Sequence, residues 1–144
     1  MSRGRRGPGP GRLPWPVFPW VLVQVAAEPA GDGTGGCLVA LNVLNNDTAV
    51  ARRYSLQING SYLSIGLHGV RISANLKSMS QSDFVGIRQP EDLVSTVESG
   101  RRYLGEAQLE PGNVHFVASD PIRNSAGRVI GAATPWWSSG RPTA

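Results

Sequence analysis

The chain has 144 residues, which is the size of one domain and excludes a large multidomain enzyme. Its formal charge of +4 equals the contribution of four arginines before Leu13, because the ten remaining basic residues are matched by ten acidic ones. A formally neutral body offers no basic face to a phosphate backbone, so we expect no nucleic-acid partner.

The inventory of reactive side chains is small. A single cysteine, Cys37, excludes an internal disulfide framework and a cysteine-based zinc site. The two histidines, His68 and His115, form no paired ligand motif, so we predict no metal and no cofactor. The glycine-rich run Gly31–Gly36 lacks the Lys-Ser/Thr of a phosphate loop and no G-x-S-x-G motif occurs, so we expect no enzymatic activity.

Residues 1–36 are rich in Gly, Pro and Arg, and we predict that they lack regular structure. A basic segment precedes the apolar run Leu13–Ala27, an order typical of a secretory signal, but three prolines disfavour the helix that such a signal forms. A leader and a disordered segment therefore both stay open. The run is too short to span a bilayer. We expect Cys37 to be a buried, small apolar residue.

A regular pattern begins at Cys37. Cys37–Leu44 is short and apolar, which fits either a buried strand or the end of a helix. The segment that follows predicts a short amphipathic helix, capped by Asn46 or Asp47 and ended by Gly60. Its apolar residues recur at four-residue spacing: Val50, Tyr54 and Ile58.

Two period-two segments follow, Tyr62–His68 and Val70–Asn75, and Gly69 separates them. In the first segment the apolar face consists of Leu63, Ile65 and Leu67. The pattern predicts a β-hairpin in which the first strand has one apolar face.

The second half of the chain predicts a short strand at 84–87, a helix and three strands. Pro90 and the acidic residues after it favour a helix start, and Gly100 favours its end. Strands are expected at 101–109, 113–122 and 127–134, the last two joined by a turn at 124–127. We expect one antiparallel sheet from about Tyr62 to Thr134, with the helix on a face or across an edge, and no regular structure in 135–144.

This order of elements is that of a PAS-like α+β sensor fold. The run VESGRRYLGEAQLEPGNVHFVASDPIRNSAGRVIGA resembles the C-terminal half of single Cache sensor domains, of the Cache 3/Cache 2 fusion type. Upstream, Asn75 matches the family pattern and Ala74 replaces its usual threonine. The resemblance extends over roughly 60% of the chain. The matched motif positions are Gly100, Tyr103, Gly105, Ala107, Pro121, Ile122, Gly127, Val129, Ile130 and Gly131.

The resemblance implies an α+β, PAS-like (Cache) fold, an antiparallel sheet with flanking short helices, in a domain at 37–134 between the segments 1–36 and 135–144. It further implies the ligand-binding sensor domain of a signal-transduction receptor, of the histidine kinase (two-component) or methyl-accepting chemotaxis type. Such a domain is extracytoplasmic at the cell membrane in an intact receptor, although we predict no membrane span in this chain. The alternative is a non-signalling PAS-like dimerisation or interaction module, or a truncated receptor fragment.

In related Cache domains the pocket between sheet and loops holds small carboxylates or similar metabolites. The resemblance therefore implies a small organic acid as ligand, and a homodimer is a further expected partner. An arginine fork binds a carboxylate through two parallel hydrogen bonds. For each candidate the alternative is a solvent-facing strand residue, or for Tyr103 a packed core residue. The ligand-binding candidates are Arg71, Arg88, Tyr103, His115 and Ser119.

Overall fold

The computed structural model describes residues 20–58, 61–75, 85–110 and 113–137, and the structural statements below concern these ranges. They contain seven strands and two helices. In chain order these are β1 Val23–Pro29, β2 Cys37–Val43, α1 Ala49–Gln57, β3 Ser61–Leu67, β4 Val70–Ala74, α2 Glu91–Glu98, β5 Tyr103–Glu110, β6 Asn113–Arg123 and β7 Val129–Trp137.

Five of the strands form one antiparallel sheet in the order β4-β3-β7-β6-β5. The last described strand, β7, lies at the centre of the sheet and pairs with β3 on one side and with β6 on the other. The α+β class and the antiparallel sheet predicted from the sequence are confirmed. The separate two-stranded sheet of β1 and β2 was not predicted.

Local turn chemistry explains the two predicted hairpins. Between β3 and β4, His68 and Gly69 both have positive φ, 49° and 74°, as the two central residues of a type I′ turn do. Between β6 and β7, the Asn124 side-chain oxygen accepts hydrogen bonds from the backbone N–H groups of Ala126 and Arg128. Both connections are confirmed as tight turns.

The sheet is covered on both faces. One face packs against α2 through a cluster of apolar side chains, and the other packs beside α1 and the base of the β1–β2 pair. The cluster on the α2 face consists of Ala74, Leu93, Val97, Ala107, Val117, Ala132 and Trp136. The cluster on the opposite face consists of Leu22, Ile65, Leu67 and Ile72.

The apolar face predicted for β3 is present, but the opposite face is covered as well, since six of the seven residues of the strand are buried and the seventh is half-buried. The apolar positions Ile65 and Leu67 pack on the α1 side as expected from period two. The alternate positions Ser64 and Gly66 are also buried, under α2 and the segment that leads into it. Because both faces of the sheet are covered, an interior strand such as β3 needs no solvent-facing polar residues, and the polar residues that it has are buried or half-buried.

The expectation that residues 1–36 lack regular structure is wrong for Val23–Pro29, which form β1, while residues 1–19 lie outside the described residues. The segment that begins at Cys37 is a strand, as one of the two interpretations had it, but it is exposed along its length. Cys37 is exposed as well, so the prediction that it is buried is wrong. The reason is that β2 pairs only with β1 and does not belong to the main sheet.

The expectation of an unstructured tail from residue 135 is wrong for its first three residues, which complete β7. Trp136 is 1% exposed and stacks on Tyr62 with 4.7 Å between ring centroids. Residues 138–144 lie outside the described residues. The short strand expected at 84–87 is also not observed in its described part, where Val85 and Gly86 form a turn.

Candidate functional site

A row of buried hydroxyl groups crosses the sheet on the α2 face. Ser64 of β3 is paired with Thr134 of β7, and the Ser119 side-chain oxygen of β6 lies 2.8 Å from the Thr134 oxygen. All three side chains are 0% exposed. Cross-strand neighbours share a face of a sheet, so register alone brings these three hydroxyls together. We call Ser64, Thr134 and Ser119 the hydroxyl row.

Gln89 lies over this row. It stands just before α2, is 5% exposed and donates a hydrogen bond from Nε2 to the Thr134 side-chain oxygen at 3.3 Å. Its side chain runs flat along β3 because Gly66 has no side chain, and a Cβ at Gly66 would collide with the Gln89 amide oxygen. Within the described residues, the Ser64 hydroxyl has no hydrogen-bond partner. A buried hydroxyl without a partner costs about 1–3 kcal/mol.

A cavity that is open to solvent lies beside Gln89 between α2 and the start of β7, and its volume of about 290 Å³ includes this open solvent. Its walls are mainly apolar, and its polar lining residues include Gln89 and the two titratable residues His68 and Glu98. Its composition is that of a small-molecule pocket, since such pockets are mostly apolar with a few polar groups, but little of its volume is enclosed. The lining residues are His68, Gly69, Gln89, Val94, Val97, Glu98, Val129, Ile130, Gly131 and Ala132.

The motif glycine Gly131 has a packing role at this cavity. A Cβ on Gly131 would collide with the carbonyl oxygen of Gly66 on the neighbouring strand β3. Glycine at position 131 therefore lets β7 approach β3 closely beside the cavity.

The two arginines of the predicted site lie near the β4 edge of the sheet. Arg71 of β4 is 1% exposed and is paired with Gly66, on whose face Gln89 lies. Arg88 is exposed and forms a single antiparallel bridge with Val70. The segment that carries Arg88 is thus held against β4 by backbone contacts, next to the cavity-lining Gln89.

Tyr103 lies at the opposite edge, on β5, and is half-buried. Its hydroxyl lies 2.9 Å from the Asp92 carboxylate of α2 and 3.0 Å from the Glu106 carbonyl. Burial, followed by the hydrogen bond to Asp92, raises the pKa of Tyr103 above its ordinary value of 10.0. The side chain therefore fastens α2 to the edge of the sheet.

His115 of β6 is 5% exposed and meets the ring of Trp136 edge-on at 4.6 Å. Its Nδ1 lies 3.3 Å from the carbonyl oxygen of Trp137, a distance at which the protonated nitrogen donates a hydrogen bond. Ser119, four residues further along β6, belongs to the hydroxyl row and is paired with Tyr103.

The structure thus brings the predicted residues together in two separate pairs: Ser119 and Tyr103 are cross-strand neighbours, and Arg71 and Arg88 lie on adjacent backbone segments at the β4 edge. The backbones of Arg71 and Tyr103 lie on opposite edge strands, four strand spacings or about 19 Å apart. Sequence reasoning missed Gln89, Thr134 and Ser64. The signal for Ser64 and Thr134 was their place on the same face as Ser119, but it becomes visible only once the strand order β3-β7-β6 is known.

The motif residue Asn75 connects elements at the other end of β3. Its side-chain oxygen accepts a hydrogen bond from the Leu63 N–H at 2.8 Å, and its amide nitrogen donates to the Ser55 hydroxyl of α1. An asparagine offers both a donor and an acceptor, which this position uses to hold β3 and α1 together.

Within the described ranges, no group of three or more His, Cys, Asp or Glu side chains is placed to hold a metal ion. No helix among the described residues is long and apolar enough to cross a membrane.

Comparison with known proteins gave one family. No curated protein matches the chain. The model of the family described as single cache domain 3 matches residues 42–134, close to two thirds of the 144 residues. This range contains α1, the five-stranded sheet up to Thr134, α2 and the cavity. The chain therefore belongs to the single Cache domain 3 family, a family of ligand-binding sensor domains found in signalling receptors.

Proposed function

We propose that this domain is the sensor of a signalling receptor and that its ligand occupies the cavity between α2 and the β3–β7 part of the sheet. The observation that carries this proposal is the position of Gln89, which lines the cavity and also bonds to the hydroxyl row. The amide therefore separates an open apolar cavity from a buried set of hydroxyls. A ligand in the cavity that draws the amide away from Thr134 also gains access to those hydroxyls.

The proposed ligand is a small organic acid or a related metabolite. Buried hydroxyls and an amide are suitable partners for carboxylate oxygens, and the apolar walls formed by Val94, Val97 and Val129 suit a short carbon skeleton. The unpartnered Ser64 hydroxyl supports this chemistry, because a ligand oxygen would supply the hydrogen bond that the described residues do not. Arg71 and Arg88 are proposed to supply positive charge near the β4 edge.

The five residues predicted from sequence stay candidates for ligand contact. Arg88 is exposed on the segment next to Gln89, and Ser119 lies in the hydroxyl row. None of the five predicted residues lines the cavity, and His115 and Tyr103 lie on the strands β6 and β5. For these two we propose an effect through the packing of Trp136 and the position of α2.

Ligand binding would act by population shift. A ligand changes the balance between two arrangements only by its difference in affinity for them. Because α2 forms one wall of the cavity and is tied to β5 through Tyr103, displacement of α2 is the proposed response. The receptor type, whether histidine kinase or methyl-accepting, the extracytoplasmic location, the fusion subtype of the family and a homodimer belong to this proposal as well.

A thermal-shift screen of the full chain tests the proposal. The probes are short mono-, di- and tricarboxylates such as acetate, succinate and citrate, with the corresponding amines and alcohols as the counter-set. A selective carboxylate should stabilise the fold by about 2.7 kcal/mol at a hundred times its Kd. If no carboxylate stabilises the fold while an amine or alcohol does, the organic-acid part of the proposal is wrong and the cavity part stands.

Variants then locate the site. Ser119→Ala and Arg88→Ala should each weaken binding of the selected carboxylate more than tenfold, about 1.4 kcal/mol. Tyr103→Phe is expected to weaken binding by a similar factor, because it removes the hydrogen bond that ties α2 to β5. Ser95→Ala, which removes an exposed hydroxyl on α2, is the matched control and should leave the affinity unchanged. Unchanged affinity in all three test variants would contradict the site.

A further inference from the structure

The side chain of Arg123 joins the end of α2 to the turn that leads into β7. Arg123 is the last residue of β6, and its guanidinium donates two hydrogen bonds to backbone carbonyls. Nη1 donates to the Gly127 oxygen at 3.0 Å, and Nη2 donates to the Gly100 oxygen at 3.2 Å. Gly100 follows α2 by two residues, and Gly127 precedes β7 by two residues. We call these two hydrogen bonds the Arg123 clamp.

The carbonyl of Gly100 has a fixed position, because it belongs to a closed helix end. Gly100 has a φ of 84°, and its N–H donates to the Val97 carbonyl at 2.8 Å. The Arg101 N–H donates to the Thr96 carbonyl at 3.3 Å. These are the two hydrogen bonds of a Schellman motif. A Cβ at Gly100 would come within 2.8 Å of the Arg123 Nη2, so glycine also leaves room for the guanidinium.

The carbonyl of Gly127 is fixed in the same way by its turn. Gly127 has a φ of 77°, and its N–H donates to the Asn124 carbonyl at 2.9 Å. The Asn124 N–H donates to the Arg128 carbonyl at 3.0 Å, which closes the turn. A guanidinium is planar and holds its donors in a rigid fork. The Arg123 clamp therefore fixes the distance between the end of α2 and the start of β7.

These two segments are opposite walls of the cavity. Val97 and Glu98 line it from α2, and Val129 and Ile130 line it from β7. Each of these four residues lies within three positions of a carbonyl that the Arg123 clamp holds. Because the cavity is open to solvent, the separation of its walls determines how large a molecule it accepts.

The other attachments of α2 lie toward its start and its middle. Tyr103 holds Asp92 in the first turn, and the apolar side chains Leu93 and Val97 pack in the cluster under the helix. Glu98, which follows Val97, is exposed. The apolar packing of α2 thus ends at Val97, and the Arg123 clamp attaches the segment beyond it.

We propose that Arg123 is a positioning residue that sets the width of the cavity and thereby the size of the ligand that it accepts. The ligand part rests on the proposed function, since it takes the cavity as the ligand site. Arg123 does not line the cavity, so it acts through the end of α2 and the start of β7. Without the Arg123 clamp, the last turn of α2 is free to move away from β7, and the cavity admits bulkier molecules.

Alkylation of a cysteine placed in the cavity measures this width without any ligand. Cys37→Ala removes the natural thiol, and Val129→Cys then places one thiol in the β7 wall, at a half-buried position. The probes are iodoacetamide, which is small, and its bulky N-benzyl derivative. In this background Arg123→Met should raise the rate of the bulky probe relative to the small one by a factor of about 2–10, the range expected for a lost hydrogen bond.

Two further variants separate the Arg123 clamp from charge and from stability. Arg128→Met is the matched control, because it removes a positive charge beside the same turn from an exposed side chain that makes no hydrogen bond or ion pair within the described ranges. It should leave the rate ratio unchanged. Arg123→Lys keeps the charge but lacks the rigid fork, so it should behave like Arg123→Met. Global unfolding admits both probes alike, so lower stability alone does not change the ratio in this way.

A rate ratio that is unchanged in Arg123→Met overturns the proposal, whichever ligand the cavity holds. A ratio that changes equally in Arg128→Met also overturns it, because charge would then be the cause. The thermal-shift screen tests the proposed function separately. If no carboxylate binds and Arg123→Met still changes the ratio, the organic-acid part of the proposed function is wrong, while Arg123 is confirmed as the residue that sets the width of the cavity.

Discussion

At the scale of single residues, Gly66 and Gln89 form a coupled pair. A Cβ at Gly66 would collide with the Gln89 amide oxygen, which is the end of a flexible side chain. We expect Gly66→Ala to lower the free energy of unfolding by about 1–3 kcal/mol, because Gln89 must leave the sheet and give up Thr134. In a Gln89→Ala background the same change should cost clearly less, and urea denaturation of the four chains measures the difference.

Gly131→Ala is the contrasting change. Its Cβ would collide with a backbone oxygen of Gly66, which a side-chain rotation cannot relieve. The loss of stability should therefore be as large with Gln89→Ala as without it. If the effects of Gly66→Ala and Gln89→Ala prove additive, then Gln89 does not lie where the structure has it.

Tyr103 gives a pH-dependent prediction. Burial and the hydrogen bond to Asp92 raise its pKa, so the folded state favours the protonated phenol. This contribution to stability is complete below the ordinary pKa of 10.0 and is lost as the pH rises through the raised value. Tyr103→Phe should therefore lower the free energy of unfolding by about 1 kcal/mol near pH 8.

The loss caused by Tyr103→Phe should shrink above pH 10, where the wild-type phenol also loses its advantage. Denaturant unfolding at several pH values measures this. In an Asp92→Ala background Tyr103→Phe should cost less at every pH, which serves as the control. A cost that stays constant from neutral to alkaline pH contradicts the role given to the phenol.

At the scale of elements, the last strand completes the core. Trp136 is 1% exposed between Tyr62 and His115, so Trp136→Ala should lower the free energy of unfolding by about 3–5 kcal/mol. Trp137 is half-buried on the other face, where it approaches Phe116 at 6.3 Å, and Trp137→Ala should cost less. Thermal denaturation of both variants makes the comparison, and equal losses would contradict the inward position of Trp136.

Most elements of the main sheet could be predicted from local pattern. Period two identified β3 and β4, the residues of the turns located the connections, and Pro90 with Gly100 bounded α2. The ends could not be predicted in this way. Trp136 follows a proline and precedes a polar tail, so its place in the core depends on pairing with Tyr62 and Val117, which are distant in sequence.

The site was harder to predict for the same reason. The motif located Tyr103 and the glycines, because these positions follow each other along the chain. Gln89 and Thr134 are 45 residues apart and meet only through the fold. A polar residue inside a strand pattern was expected to face solvent, whereas Ser64 and Thr134 are 0% exposed. They are buried because α2 covers this face of the sheet, and the period-two pattern of a single strand does not reveal which helix will cover it.

At the scale of the whole molecule, the contacts extend beyond the predicted domain of 37–134. Leu22 lies in the core cluster on the α1 side and Trp136 in the cluster on the α2 side. A fragment of residues 37–134 lacks both, so it should unfold at a lower denaturant concentration than a fragment of residues 20–137. Urea denaturation compares the two. Equal midpoints would show that 37–134 is a sufficient domain.

The position of the ligand is the central claim, and a two-dimensional ¹H–¹⁵N NMR titration of the full chain tests it most directly. The titrant is whichever carboxylate stabilises the chain in the thermal-shift screen. We predict the largest shifts at the side-chain amide of Gln89 and at the backbone amides of Gly131, Ala132 and Thr134. Shifts confined to residues away from the cavity, such as the turn at 124–127, with the Gln89 amide unmoved, would contradict the account.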